Sequence, residues 1–168
     1  MHIWKSLVPL IALTSIGSAG PTLACHEWVS TPGSVFEALE PLRDAAMFTA
    51  NHPQQAEAAR ARITALRADI RLDEPRTLVK AGYWIAILNA LRITEDTDGP
   101  DLIRRAAQMR PNDPEYQFFT ALAYFDTDKQ LYKDYWTQAQ RLAKPGTAVS
   151  SNLTAFEPVL LSRMNPSK

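Results

Sequence analysis

Ala81-Gly82-Tyr83-Trp84-Ile85-Ala86-Ile87-Leu88-Asn89-Ala90-Leu91 offers only Asn89 as a polar side chain. A run this short does not cross a bilayer, which takes about 20 apolar residues as a helix. A helix that is apolar on every side is packed on most sides by protein. The stretch is therefore read as the central helix of a helical domain, spanning 76–94.

Working outward, the prolines divide the chain. Pro53, Pro75, Pro100, Pro111, Pro114 and Pro145 separate segments of helical length. Proline is tolerated in the first turn of a helix and breaks its interior, so these positions mark starts and stops. Helices are expected near 34–51, 54–72, 76–94, 100–110, 114–126 and 128–143, with a seventh near 151–163. Pro41 lies inside the first, which either starts there or kinks. In the second, Ala59, Ile63, Leu66 and Ile70 recur at helical spacing, while Arg60, Arg67 and Arg71 share another face that reads as a solvated surface. No stretch alternates apolar and polar residues for long, and the chain has only 6 glycines, so no strand is expected and the fold class is all-α.

The central helix opens a repeat. Shifted by 34 residues, Trp84 falls on Phe118, Ile85 on Phe119, Leu88 on Leu122, Leu91 on Phe125, Leu102 on Trp136 and Pro111 on Pro145. A 34-residue helix–turn–helix period is that of the tetratricopeptide (TPR) repeat. Ala106-Ala107-Gln108-Met109-Arg110-Pro111-Asn112-Asp113-Pro114 resembles the closing helix and turn of such a repeat, and Thr120-Ala121-Leu122-Ala123-Tyr124 its first helix. The resemblance covers about 76–145, and 76–110 lacks the family's tyrosine near Ala90. It implies antiparallel hairpins in a right-handed, TPR-like stack of about six to seven helices. It also implies a groove lined by Trp84, Leu88, Leu91, Phe118, Leu122 and Phe125. Six apolar positions on one free surface would mark an interaction site. Either a partner's apolar or helical peptide fills the groove, or the chain's own tail at 151–163 fills it through Phe156, Leu160 or Leu161.

The beginning of the chain reads as a bacterial-type secretory signal. In MHIWKSLVPLIALTSIGSAGPTLA (1–24), Lys5 precedes an apolar run from Leu7 to Leu13, and small residues lead to Ala24. Thr22-Leu23-Ala24-Cys25 resembles a bacterial lipobox, which makes Cys25 a candidate for lipidation. Ala24 also suits an ordinary cut that leaves Cys25 as a free thiol. The domain organisation that follows is a signal peptide at 1–24, a linker at 25–33 and one helical domain at 34–168.

Chemistry is sparse. The chain has 18 basic and 18 acidic side chains, which excludes the basic footprint of a nucleic-acid binder. Three histidines and one cysteine supply no closed metal site. Glu95-Asp96-Thr97-Asp98-Gly99 hints at a calcium loop, but Thr94 and Arg105 stand where an EF-hand needs acids. Asn152-Leu153-Thr154 has the form of a glycosylation sequon and, behind a bacterial-type leader, reads as chance. No phosphate loop, nucleophile elbow or zinc-protease motif is present, so neither an enzyme nor a cofactor is expected. The expected role is protein–protein interaction at the cell envelope, in the periplasm or tethered to a membrane, as an adaptor or assembly factor. The other reading is a non-catalytic accessory subunit of an envelope enzyme.

Overall fold

The structure, a computed structural model, describes residues 28–164. The expected leader at 1–24 and Cys25 lie outside the described residues. The described chain is all-α: α1 (Val35–Asn51), a 3-10 turn (Pro53–Gln55), α2 (Ala56–Ala68), α3 (Pro75–Ala90), α4 (Gly99–Met109), α5 (Pro114–Tyr124), α6 (Lys129–Leu142) and α7 (Ala148–Met164). No strand occurs among the described residues.

Local chemistry sets the boundaries. The Ser34 hydroxyl accepts the Glu37 N–H and starts α1 seven residues ahead of Pro41, which then sits inside the helix. Pro41 is exposed, so the hydrogen bond its ring removes is open to replacement by water. Asp113 caps α5 through Glu115, and Asp128 caps α6 through Gln130 and Leu131. Proline opens α3 and α5, and lies in the first turn of α4. Two ends fall short of expectation. α2 stops at Ala68 and α3 at Ala90, each four residues early. At α3 the cause is Arg92, which takes a left-handed φ of 58° and lets the Ile93 N–H donate back to Leu88 O. α7 starts at Ala148, earlier than 151, because the Thr147 hydroxyl accepts the Ser150 N–H.

Consecutive helices form hairpins, with α3 on α4 and α5 on α6. Each odd-numbered helix also packs on the next odd one: α1 on α3, α3 on α5, α5 on α7. The even helices α2, α4 and α6 each meet the odd helix that follows. The first turns of α1, α3 and α5 lie at one end. There Val35 N–H donates to Glu115 Oε2 at 2.5 Å, and Arg76 donates to the Gly33 and Ser34 carbonyls. α1 also reaches α5 directly, with Phe36 5.3 Å from Phe118 and 4.9 Å from Phe119 between ring centres. The core is rich in aromatics: Phe36, Tyr83, Trp84, Phe118, Phe119, Phe125 and Phe156 are all fully buried.

One crossing depends on glycine. A Cβ on Gly82 would stand 2.5 Å from Gly99 O and 2.7 Å from an Ile103 side-chain carbon, and one on Gly99 would stand 2.6 Å from Gly82 O. Both obstacles include backbone, which cannot turn aside. Gly82→Ala is therefore expected to lower stability by about 1–3 kcal/mol in a urea titration, although alanine is the better helix former by about 1 kcal/mol. A stabilised Gly82→Ala variant would show that α3 and α4 stand further apart than described.

Candidate interaction face

The six residues expected to line a groove do not share an open surface. Trp84 is 1% exposed, Leu88 0%, Phe118 0%, Leu122 3% and Phe125 1%, and Leu91, at the end of α3, is half-buried. Trp84 turns towards α2, where its indole N–H donates to Ala59 O at 3.0 Å and the Arg62 guanidinium lies over its ring. Phe118 meets Trp136 of α6 and Phe156 of α7, and Phe125 meets Tyr132 of α6. The expectation of one groove is corrected for a physical reason. The odd helices touch one another, and their largest apolar side chains face neighbouring helices on several sides.

The tail expected at 151–163 is α7, an integral helix. Phe156 is 1% exposed and its ring stands 5.4 Å from Phe118, edge to face, while Leu160 is buried and Leu161 is 48% exposed. The exposed side of α7 mixes Ser151, Thr154, Glu157 and Ser162 with Ala155, Pro158 and Leu161.

A second segment closes the odd helices from the other direction. Trp28 is 7% exposed and meets Phe36 of α1 at 5.9 Å, Tyr83 of α3 at 5.8 Å and Phe119 of α5 at 5.6 Å, each edge to face. Arg43 covers the indole at 4.8 Å. At α7 the Asn152 side chain brackets Val29: Val29 N–H donates to Asn152 Oδ1 at 2.7 Å, and Asn152 Nδ2 donates to Val29 O at 2.8 Å. All four odd helices thus touch residues 28 and 29. The segment expected as part of a linker at 25–33 is, from Trp28 onward, a strap across the domain. Sequence pattern gives no sign of the roles of Trp28 and Phe36, marks Asn152 only as part of a sequon, and points to 84 and 118 where the strap meets Tyr83 and Phe119. A tryptophan beside a valine in the short segment ahead of the first helix is the available signal. Asn152 is 1% exposed with its amide engaged, so the sequon at 152–154 offers no acceptor in the folded domain.

Charge gathers where the strap enters α1. Burial pushes the Glu115 carboxyl above its ordinary value, with Asp113 adding to the rise, while the Val35 N–H and Arg76 oppose it. A carboxyl raised on folding binds its proton more tightly in the native state. Its contribution is present at low pH and lost as pH climbs from the ordinary glutamate range through the raised value. Glu115→Gln keeps an oxygen for the Val35 N–H and removes the buried charge. Its melting temperature is expected to match or exceed the parent at pH 7, with the difference vanishing in acid. A clear loss at pH 7 would show the carboxylate to be stabilising. Beside this corner lies an open cleft of about 660 Å³, bordered by the strap, the first turn of α5 and the start of α7.

The arginine face of α2 is occupied. Arg67 forks onto Asp98 at 2.9 and 2.7 Å, with Asp96 at 3.7 Å, and Arg60 donates to Ile93 O. Both side chains pin the connection between α3 and α4. The pair holds the Asp98 carboxyl below its usual range, chiefly through the Arg67 hydrogen bond. The exposed apolar side chains include Phe48, which stacks on His52 at 4.1 Å, and Leu72. Phe48 borders a shallow groove of about 370 Å³ between α1 and α2, where Arg62 and Trp84 also lie.

Among the described residues, no group of three His, Cys, Asp or Glu could hold a metal ion, and no helix is long and apolar enough to cross a membrane. Compared with known proteins, the chain matches no family model, no curated protein and no solved structure.

Proposed function

We propose that this chain is an exported cell-envelope protein that works by protein–protein interaction, a TPR-like adaptor or assembly factor without catalysis of its own. The observation that carries this reading is the neighbour pattern of the helices, odd on odd and even on the following odd. The ends of α3 and α5, Ala90 and Tyr124, lie 34 residues apart, the TPR period, while their starts, Pro75 and Pro114, lie 39 apart because α3 is the longer helix. Stacked hairpins of this kind present extended surfaces to other proteins. Export rests on the leader-like 1–24, and a tether on Cys25 in its lipobox-like setting. The proposed place is the periplasm, either free or held at a membrane by acylation.

Mass spectrometry of the chain purified from fractionated bacteria tests the export half. The expected chain starts at or near Cys25, and acyl mass on that residue would mark the tether; Cys25→Ser would then release the protein from membranes. An intact Met1 in the cytosolic fraction would overturn the reading. A photoreactive side chain at exposed Phe48 or Leu72 tests the other half, with a discrete protein adduct expected in the envelope. No adduct from exposed positions around the domain would remove the adaptor.

A further inference from the structure

We propose that Trp28–Gly33 is a displaceable strap that gates the face made by Phe36, Tyr83 and Phe119. The inference rests on the interaction-module reading and supplies its regulation. When the strap lifts, an extended segment of a partner takes its place. That segment carries an aromatic residue for the seat of Trp28, followed by a residue other than proline, whose backbone binds Asn152.

Three observations carry it. First, apart from the local turn in which Ser34 N–H donates to Thr31 O, the described hydrogen bonds between residues 28–33 and the rest of the domain use side chains. Asn152 holds both backbone groups of Val29, Ser30 Oγ donates to Glu40 at 2.6 Å, Gly33 N–H donates to Glu37 at 2.7 Å, and Arg76 donates to Gly33 O. Lifting the strap breaks no helical hydrogen bond, so it can open below the cost of global unfolding. Second, Trp28 Nε1 is the one buried side-chain polar atom among the described residues without a hydrogen-bond partner. A buried donor left unmet opposes burial, so the seat holds the strap less firmly than the buried ring alone would. Third, the strap joins α1 through Pro32-Gly33, where Gly33 has φ +81° and its backbone is held to the domain only by the Glu37 and Arg76 side chains.

The recognition chemistry follows from the strap itself. Val29 is 51% exposed, so the domain reads its backbone and not its side chain. Asn152 requires an N–H to accept from and a carbonyl to donate to, which excludes proline at that place. The ring seat takes an aromatic group edge to face, with Arg43 over it. In the closed state the tethered strap competes at high local concentration, so apparent affinity for any partner segment falls by the fraction of molecules that are open.

Native-state hydrogen exchange on the mature chain tests the gate without a variant. The Val29 amide is expected to exchange through an opening independent of urea, and at least about tenfold faster than the Leu39 and Leu88 amides in α1 and α3. A synthetic peptide of sequence Trp28–Val35 supplies the second arm. Trp28→Ala, whose own strap cannot fill the seat, is expected to bind it at least about tenfold more tightly than the parent chain. Val29 exchange that follows global unfolding, or equal peptide affinity in both proteins, would overturn the proposal. A strap that opens while photocrosslinking finds no partner would keep the gate and remove the adaptor. A strap that never opens would do the reverse.

Discussion

Phe118→Ala is expected to cost about 3–5 kcal/mol of unfolding free energy, the range for emptying a fully buried phenylalanine site. Phe118 is 0% exposed, and its ring lies 5.3 Å from Phe36, 5.4 Å from Phe119, 5.9 Å from Trp136 and 5.4 Å from Phe156. Those rings belong to α1, α5, α6 and α7, so one truncation opens a hole where four helices meet. Such a site collapses poorly, because filling it would require several helices to move together. Urea titration at constant m-value is the measurement. A cost below about 1 kcal/mol, as expected for a ring in an open groove, would contradict the burial described.

Trp28→Ala is expected to be damaging as well, and its conservative counterpart is more informative. Emptying a buried tryptophan site costs about 3–5 kcal/mol. Removing the unpartnered Nε1–H returns part of that, since a buried donor without an acceptor costs about 1–3 kcal/mol. The net expectation is a loss of about 2 kcal/mol. Trp28→Phe leaves out the stranded donor and keeps a ring among Phe36, Tyr83 and Phe119, so its loss is expected to stay under about 1.5 kcal/mol. If both variants were neutral in thermal melts, the strap would contribute nothing to the fold.

Much of the architecture was legible because it is written in local pattern. Prolines and polar caps mark where helices begin, and the run from Ala81 to Leu91 could only be a central helix. The misreadings share a cause. α3 stops at Ala90 because Arg92 adopts a left-handed turn that sequence usually signals with glycine. Gly82 looks like a weak point in a helix, and its use appears only when Gly99 stands against it. Trp28 carries no periodicity, and its anchor Asn152 lies 123 residues beyond Val29 in sequence. The 34-residue shift picks out apolar positions as a groove lining, and five of the six are buried in the core; spacing alone does not tell a groove lining from a core. That distinction depends on how closely α1 approaches α5, which no local pattern records.

A double-mutant cycle between Trp28 and Phe119 tests most directly whether the chain closes its own odd-helix face. The rings lie 5.6 Å apart at 85°, an edge-to-face pair. Trp28→Leu, Phe119→Leu and the double variant would be unfolded in urea beside the parent. Aromatic pairs of this geometry couple by about 0.5–1.5 kcal/mol, and residues in contact depart from additivity where distant ones do not. The expected result is a coupling of about 1 kcal/mol. Two losses that simply add, within about 0.3 kcal/mol, would place Trp28 away from Phe119 and contradict the closed face.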